Sequence, residues 1–234
     1  MLPGGRRSPH ARSGAAALAC AGVLAVAAAA QLASTASAGD DGRCDRFRAG
    51  SAERAALVTG SGAETLVVGD SWSVGLGLAD LGRSWPTRLP GRVRVAGFSG
   101  SGFSRDASEC GDLSFATRAA RAVGPETRLV VVAGGLNDVD RTDAEIEAGF
   151  GRLVTALSAP GLRVVVVGPA AAPSRAAAAV RVDRLLRGLT GRAGWEYAAA
   201  YDWELGYLPD GLHLTPAGHA TFGDLVAEAV TPSA

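Results

Sequence analysis

Four short apolar runs and a weaker fifth fix what this chain can fold into: TLVVGD from Thr65, VRVAGF from Val93, RLVVVAGG from Arg128, LRVVVVGP from Leu162 and WEYAAAYD from Trp195. Each is bounded by Gly, Pro or Asp and is rich in residues that pack well on a pleated surface, the signature of strands buried on both faces. Longer segments with helical spacing lie between them. DAEIEAGFGRLVTALSA places Ile146, Phe150, Leu153, Val154 and Leu157 on one stripe, and VRVDRLLRGL does the same with Val182, Leu185, Leu186 and Leu189. A last helix is expected from Thr215, an N-cap followed by Pro216 at the first helical position, to about Val230. About five alternations of strand and helix predict an α/β fold: a three-layer, open, parallel, flavodoxin-like sheet with helices on both faces.

The start of the chain bears on the compartment. Arg6, Arg7 and Arg12 precede an apolar stretch from Ala15 to Ala30 and then the small-residue sequence ASTASA, the charged, hydrophobic and cleavable parts of a secretory signal. We expect residues 1–38 to be this signal, 39–62 a polar, glycine-containing arm and 63–234 the folded domain. The apolar stretch is short for a bilayer span of about 20 residues, and no later segment replaces it, so the expected mature protein is exported, monomeric and without a membrane span. General secretion is preferred to the twin-arginine route because the residues after Arg7, SPHARSG, do not support the latter. Cys20 lies inside the apolar stretch rather than at its end, which argues against a lipid anchor.

Charge and cysteine usage exclude several classes. There is no lysine, and the three arginines in the leader leave 20 against 23 acidic residues, a formal mature charge of −3. With arginines scattered rather than clustered, no basic stripe is available for nucleic acid. Cys44 and Cys110 remain after the leader, and an isolated pair in an oxidising compartment is expected to form a disulfide. Two cysteines and two histidines at these separations make no metal-ligand pattern, and no cofactor is implied.

In open parallel sheets the functional edge lies at the carboxyl ends of the strands. The first strand ends in GDSWS, Gly69 to Ser73; the second in AGFSGSGFS; the third in GGLND, Gly134 to Asp138; and PDGLHLTPAGH precedes the last helix. GDSWS alone reads equally well as a helix cap, and an Asn-Asp pair after a strand often only makes a turn. Together they hold the parts of nucleophilic catalysis. A serine needs a base, usually a histidine oriented by a carboxylate. His213 has Asp210 three residues before it across a glycine-containing turn, whereas His219 has Pro216 in the equivalent place and falls within the last helix, so His213 is preferred. The Ser71 amide, a glycine amide from the SGSG loop and the Asn137 side chain offer three donors for an oxyanion. Asp70 is expected to order its loop, and Ser73 to be structural.

In this combination the motifs resemble the SGNH, or GDSL-like, hydrolase family of esterases and lipases over nearly the whole mature chain. GDSWS looks like its first block, with Ser71 as nucleophile and oxyanion donor; Gly100 best matches the second-block glycine, with Gly102 two residues on; Gly135-Leu136-Asn137-Asp138 matches GxND; and Asp210-Gly211-Leu212-His213 matches DxxH. SWPTRL, from Ser84, also looks like the segment ahead of the family's second strand. Val95-Ala96 stands where the family often has an asparagine, so the two glycines stay open. The resemblance implies ester hydrolysis through a Ser71 acyl-enzyme on a small-molecule or polysaccharide ester. Acyl transfer to another alcohol, polysaccharide O-deacetylation and a non-catalytic carbohydrate- or lipid-binding module are the alternatives, the last disfavoured by the intact Ser71, Asn137, Asp210 and His213.

Overall fold

A computed structural model describes Met1 and residues 42–231, so the expected secretory signal lies outside the described residues. Five strands, β1 Glu64–Gly69, β2 Arg92–Gly97, β3 Thr127–Ala133, β4 Arg163–Val167 and β5 Glu196–Ala198, form one sheet in the order β2-β1-β3-β4-β5. All four pairings are parallel. The expected α/β architecture is therefore the observed one. In register, Val67 of β1 lies between Val95 of β2 and Val131 of β3. Every residue of β1 is buried, which is why Leu66, Val67 and Val68 run apolar without alternation; Glu64 and Thr65 at its start are buried polar residues.

Period-two alternation sends the two sides of these strands into two cores. Leu66, Val68, Val130, Val132, Val164 and Val166 meet α3 Phe115–Ala122, α4 Asp143–Ala156 and α5 Ala176–Arg192. Val67, Val95, Val131, Val165 and Val167 meet Trp72, Trp85 and α6 Pro216–Val230. Phe222 of α6 is the hub of that second core, with the rings of Trp72, Trp85 and Trp203 at 5.3, 5.2 and 5.4 Å. The helix stripes fall as their spacing predicts: Ile146, Phe150, Leu153 and Leu157 are buried, as are Val182, Leu186 and Leu189, while Val154 and Leu185 are half-buried at the stripe margins.

Three differences from the sequence reading have local causes. Residues 42–56, in the expected polar arm, form a helix, α1, which from Cys44 onward belongs to a compact unit that runs to Ala234. The inward positions of α1 are Cys44, Phe47, Ser51 and Arg54, a helical spacing in which only the first two are apolar. The helix after β1, α2 Ser71–Val74, is a single turn, because Gly75 closes it in the left-handed region at φ 85°. β5 has only three residues: beyond Ala198 the chain leaves the ladder, keeping only the bond from the Ala171 amide to the Tyr201 carbonyl.

Cys44 and Cys110 are joined in a disulfide. This bond, the Ser51 hydroxyl donating to the Gly97 carbonyl at 2.5 Å, and the edge-to-face contact of Phe47 with Phe98 fasten α1 beside the loop that follows β2. Among the described residues no helix is long and apolar enough to cross a membrane.

Candidate active site

The carboxyl ends of β1, β2 and β3 bring three of the expected segments to one edge of the sheet. Ser71 opens α2 directly after β1 and is nearly buried. Asp70, at the N-cap, accepts the Trp72 amide at 3.0 Å through Oδ1, so it orders the turn that presents Ser71. Its carboxyl is pushed up to about 6 by burial; the Trp72 amide and the charges of His213, Arg118 and Arg175 act in the opposite direction. Ser73, expected to be structural, is fully buried beneath this turn.

After β3 the chain makes a 3-10 turn, Leu136–Asp138. Gly134 and Gly135 lead into it with φ 153° and 120°, and a Cβ on Gly134 would lie 2.6 Å from the Phe115 ring and 3.1 Å from Asp70 Oδ2. The turn separates its two polar residues by role. Asp138 points inward, where Oδ2 and Oδ1 accept the Phe103 and Ser104 amides at 3.0 and 2.8 Å. Burial pushes its carboxyl up to about 6, against the pull of those two amides. Asn137 points toward the loop after β2, where Nδ2 donates to the Ser101 carbonyl at 2.9 Å.

The two candidate glycines of that loop have different surroundings. A Cβ on Gly102 would lie 2.3–2.7 Å from the Asp138 carboxylate atoms, so Gly102 is glycine because Asp138 packs against it. Gly100 has φ 79° and open surroundings, the nearest atom to an added Cβ being on the Phe47 ring at 3.8 Å. Its glycine is required by backbone conformation rather than by crowding.

His213 and Asp210 come from the irregular segment before α6. Nε2 of His213 lies 3.1 Å from Ser71 Oγ, and Nδ1 lies 2.6 Å from Asp210 Oδ2. The other carboxylate oxygen of Asp210 accepts the Leu212 and His213 amides, both at 2.9 Å. The His213 side chain and these two amides hold the Asp210 carboxyl down at about 2. Gly211, at φ 62°, makes the tight return possible, and its carbonyl accepts from both the amide and the hydroxyl of Ser174 at 3.0 Å. Trp72 Nε1 donates to the Leu212 carbonyl at 3.1 Å, tying the turn to the residue after Ser71. His219 is elsewhere: fully buried in α6, with Nδ1 accepting the Trp85 amide at 3.4 Å and burial holding its imidazole down at about 4.

A carboxylate–imidazole–hydroxyl chain on the carboxyl edge of an open parallel sheet is found in several hydrolase families, and the sequence distinguishes among them. Residues 67–221, more than half of the chain, match the model of the GDSL-like Lipase/Acylhydrolase family. The chain belongs to this family. As a GDSL-like acylhydrolase it is a carboxylic ester hydrolase of the SGNH type. Ser71, Gly100, Asn137, Asp210 and His213 all fall inside the matched span, whereas α1 and Cys44 precede it. Solved structures with the same fold include Est24, a carbohydrate acetylesterase from Sinorhizobium meliloti, at 21% identity and TM-score 0.60 over 72% of this chain and 98% of that one. They also include the native aryl esterase of M. smegmatis, at 20% identity and TM-score 0.55 over 72% and 98%. No curated protein matches the GDSL-like chain.

Sequence reasoning missed several residues that surround this GDSL-like site. Arg118, buried under the loop after β2, donates to the Ser101 hydroxyl at 2.6 Å and to the Ala96 carbonyl. Arg175 donates to the Leu136 carbonyl and, at 3.3 Å, to Asn137 Oδ1. Ser174 and Arg175 stand in the loop after β4, on the same sheet edge as the expected blocks, and that position was the available signal.

Proposed function

We propose that Ser71 is the nucleophile, His213 the general base and acid, and Asp210 the group that holds the imidazole, in hydrolysis of short-chain carboxylic esters through an acyl-enzyme. One observation carries this reading: a single imidazole sits 3.1 Å from Ser71 Oγ on one nitrogen and 2.6 Å from Asp210 on the other. Nε2 takes the Oγ proton as Oγ bonds to the ester carbon. The tetrahedral intermediate then expels the alcohol, which takes that proton from Nε2. Water, deprotonated in turn by Nε2, attacks the acyl-enzyme; the carboxylic acid leaves and Oγ recovers its proton.

The developing oxyanion meets the amides of Ser71 and Gly100 and the side chain of Asn137. Asn137 suits the part because its amide carries two donors. One is used on the Ser101 carbonyl at 2.9 Å; the other has only a long contact, 3.5 Å, to Asp70 Oδ2 and is left for substrate. That same bond sets Asn137 beside the backbone of the Gly100 loop.

The preferred acyl chain is short, from acetyl to about hexanoyl. Two long connections, residues 98–114 and 199–215, are taken up by the disulfide and by the Asp210–His213 turn, which leaves little to wall off an acyl channel, and a methylene left wet contributes well under the roughly 0.8 kcal/mol of full burial. The protein acts outside the cytoplasm, as the leader-like sequence and the Cys44–Cys110 disulfide support. The test is a panel of p-nitrophenyl acetate, butyrate, octanoate and palmitate beside acetylated xylan, with Ser71→Ala as blank. The highest kcat/KM is expected at acetate or butyrate. A steady rise from butyrate to palmitate would overturn the short-chain assignment, and an active Ser71→Ala protein would overturn the nucleophile.

A further inference from the structure

Asn137 is held at both ends of its amide, and only one holder belongs to the loop it faces. Nδ2 donates to the Ser101 carbonyl at 2.9 Å, while Oδ1 accepts from Arg175 Nη1 at 3.3 Å. The same Nη1 donates to the carbonyl of Leu136, the residue before Asn137. A guanidinium has donors and no acceptor, so it tolerates only the oxygen end of an amide beside it. If the Asn137 side chain turned over, its NH2 would face the Arg175 donors and its oxygen would face the Ser101 carbonyl, and both bonds would become repulsive contacts. The orientation that presents the amide N–H groups to substrate is therefore one that Arg175 and the Ser101 carbonyl enforce together, and only Arg175 does so from the oxygen end. A cation on Oδ1 also draws electron density along the amide and strengthens Nδ2–H as a donor, the cooperative effect found in hydrogen-bond chains.

Arg175 has a second qualification in its place in the fold. It ends the loop that leaves β4 and stands at the N-cap of α5, and its neighbour Ser174 donates twice to the Gly211 carbonyl in the turn between Asp210 and His213. Two consecutive residues thus touch both parts of the site: Ser174 the turn that carries the base, Arg175 the amide offered to the oxyanion.

We infer that Arg175 is a positioning residue for ester hydrolysis, acting through Asn137 to fix which end of its amide meets the developing oxyanion. This rests on the reading of Asn137 as an oxyanion donor. The experiment is a double-mutant cycle on p-nitrophenyl acetate with the parent, Arg175→Met, Asn137→Ala and the double variant. Because the donor it orients is needed only as charge develops, Arg175→Met should lower kcat about tenfold with KM changed less than about twofold. In the Asn137→Ala background the same change should cost less than about twofold, since nothing is left to orient. Arg175→Lys keeps the cation but not the rigid fork and should fall between parent and Met, which supplies a readout even where Arg175→Met folds poorly. An equal loss from Arg175→Met in both backgrounds, a loss confined to KM, or no loss at all would overturn the inference while leaving Asn137 in its role. Full activity of Asn137→Ala would overturn both.

Discussion

The two halves of the site are built from the same residue types by opposite physics. On the Ser71 side, Asp70 and Asp138 are packed into the protein at the ends of β1 and β3, and burial lifts both carboxyls to about 6. On the His213 side, Asp210 stands in an irregular turn with about half of its side chain exposed, and hydrogen bonds from His213 and two amides hold it at about 2. Asp70 and Asp138 spend their oxygens organising backbone, the Trp72 amide for one and the Phe103 and Ser104 amides for the other. Asp210 spends one oxygen on backbone and the other on an imidazole. The comparison separates groups that shape the site from the group suited to electrostatics in it: a carboxylate must remain ionised to support an imidazolium, and only the hydrogen-bonded, solvated one is far from protonation at neutral pH.

The largest effect should come from breaking the contact that joins the halves. Ser71→Ala and His213→Ala are each expected to lower kcat by about 10⁴-fold or more, and the double variant should cost little beyond either one, because the two act as a unit. Single-turnover and steady-state rates on p-nitrophenyl butyrate measure this. Additive losses would mean that Ser71 and His213 do not share one step.

Much of this division was legible in the sequence, and the illegible part has a common cause. The strands of the core advertise themselves as apolar runs, Asp210 and His213 are related by a three-residue spacing across a glycine-containing turn, and Ser71 and Asn137 stand in strand-end segments that resemble the family's blocks. α1 was hard to read because only Cys44 and Phe47 of its inward positions are apolar and Ser51 and Arg54 follow them, so hydrophobic periodicity rests on two residues. Arg118 and Arg175 were hard to single out because each acts on residues distant in the chain, Arg118 on Ser101 and Arg175 on Asn137, and among 23 arginines only the place of Arg175 in the loop after β4 marks it. The reason Gly102 is glycine lies in a neighbour, Asp138, that no spacing reveals.

A smaller effect should show how far the nucleophile half depends on its outer brace. Cys44 and Cys110 close a 66-residue separation, for which chain entropy predicts a stabilisation of about 4 kcal/mol. The Cys44→Ala/Cys110→Ala protein should therefore unfold at lower urea concentration by roughly that free energy. Its kcat under folding conditions should stay within a fewfold of the parent, because Ser71 and Asn137 are held by β1 and β3 rather than by α1. A collapse of kcat in protein that remains folded would show that α1 is part of the site. Two titratable thiols in denatured, unreduced protein would show that the bond does not form.

The smallest effect extends the contrast to the two histidines. His213 is half-buried between Ser71 and Asp210, while His219 is fully buried, its Nδ1 accepting the Trp85 amide, and burial holds it down at about 4 from an ordinary value near 6.5. Between these values the unfolded chain binds a proton at this position that the folded protein refuses. The contribution of His219 to stability is therefore intact above about pH 6.5 and is lost as pH falls toward 4. Buried Asp70 and Asp138 act with the opposite sign: their folded forms take up protons near pH 6, before the unfolded carboxylates do, so acidification through the same window favours folding. His219→Gln keeps an acceptor for the Trp85 amide and does not titrate. Relative to the parent, its unfolding free energy on going from pH 7 to pH 4.5 should improve by about 2 kcal/mol, read from urea melts at the two pH values. Its kcat at pH 7.5 should be close to the parent's, unlike that of His213→Ala. An unchanged pH dependence would mean that His219 is protonated in the folded protein, and an inactive His219→Gln enzyme that stays folded would move the base from the exposed half of the site into the core.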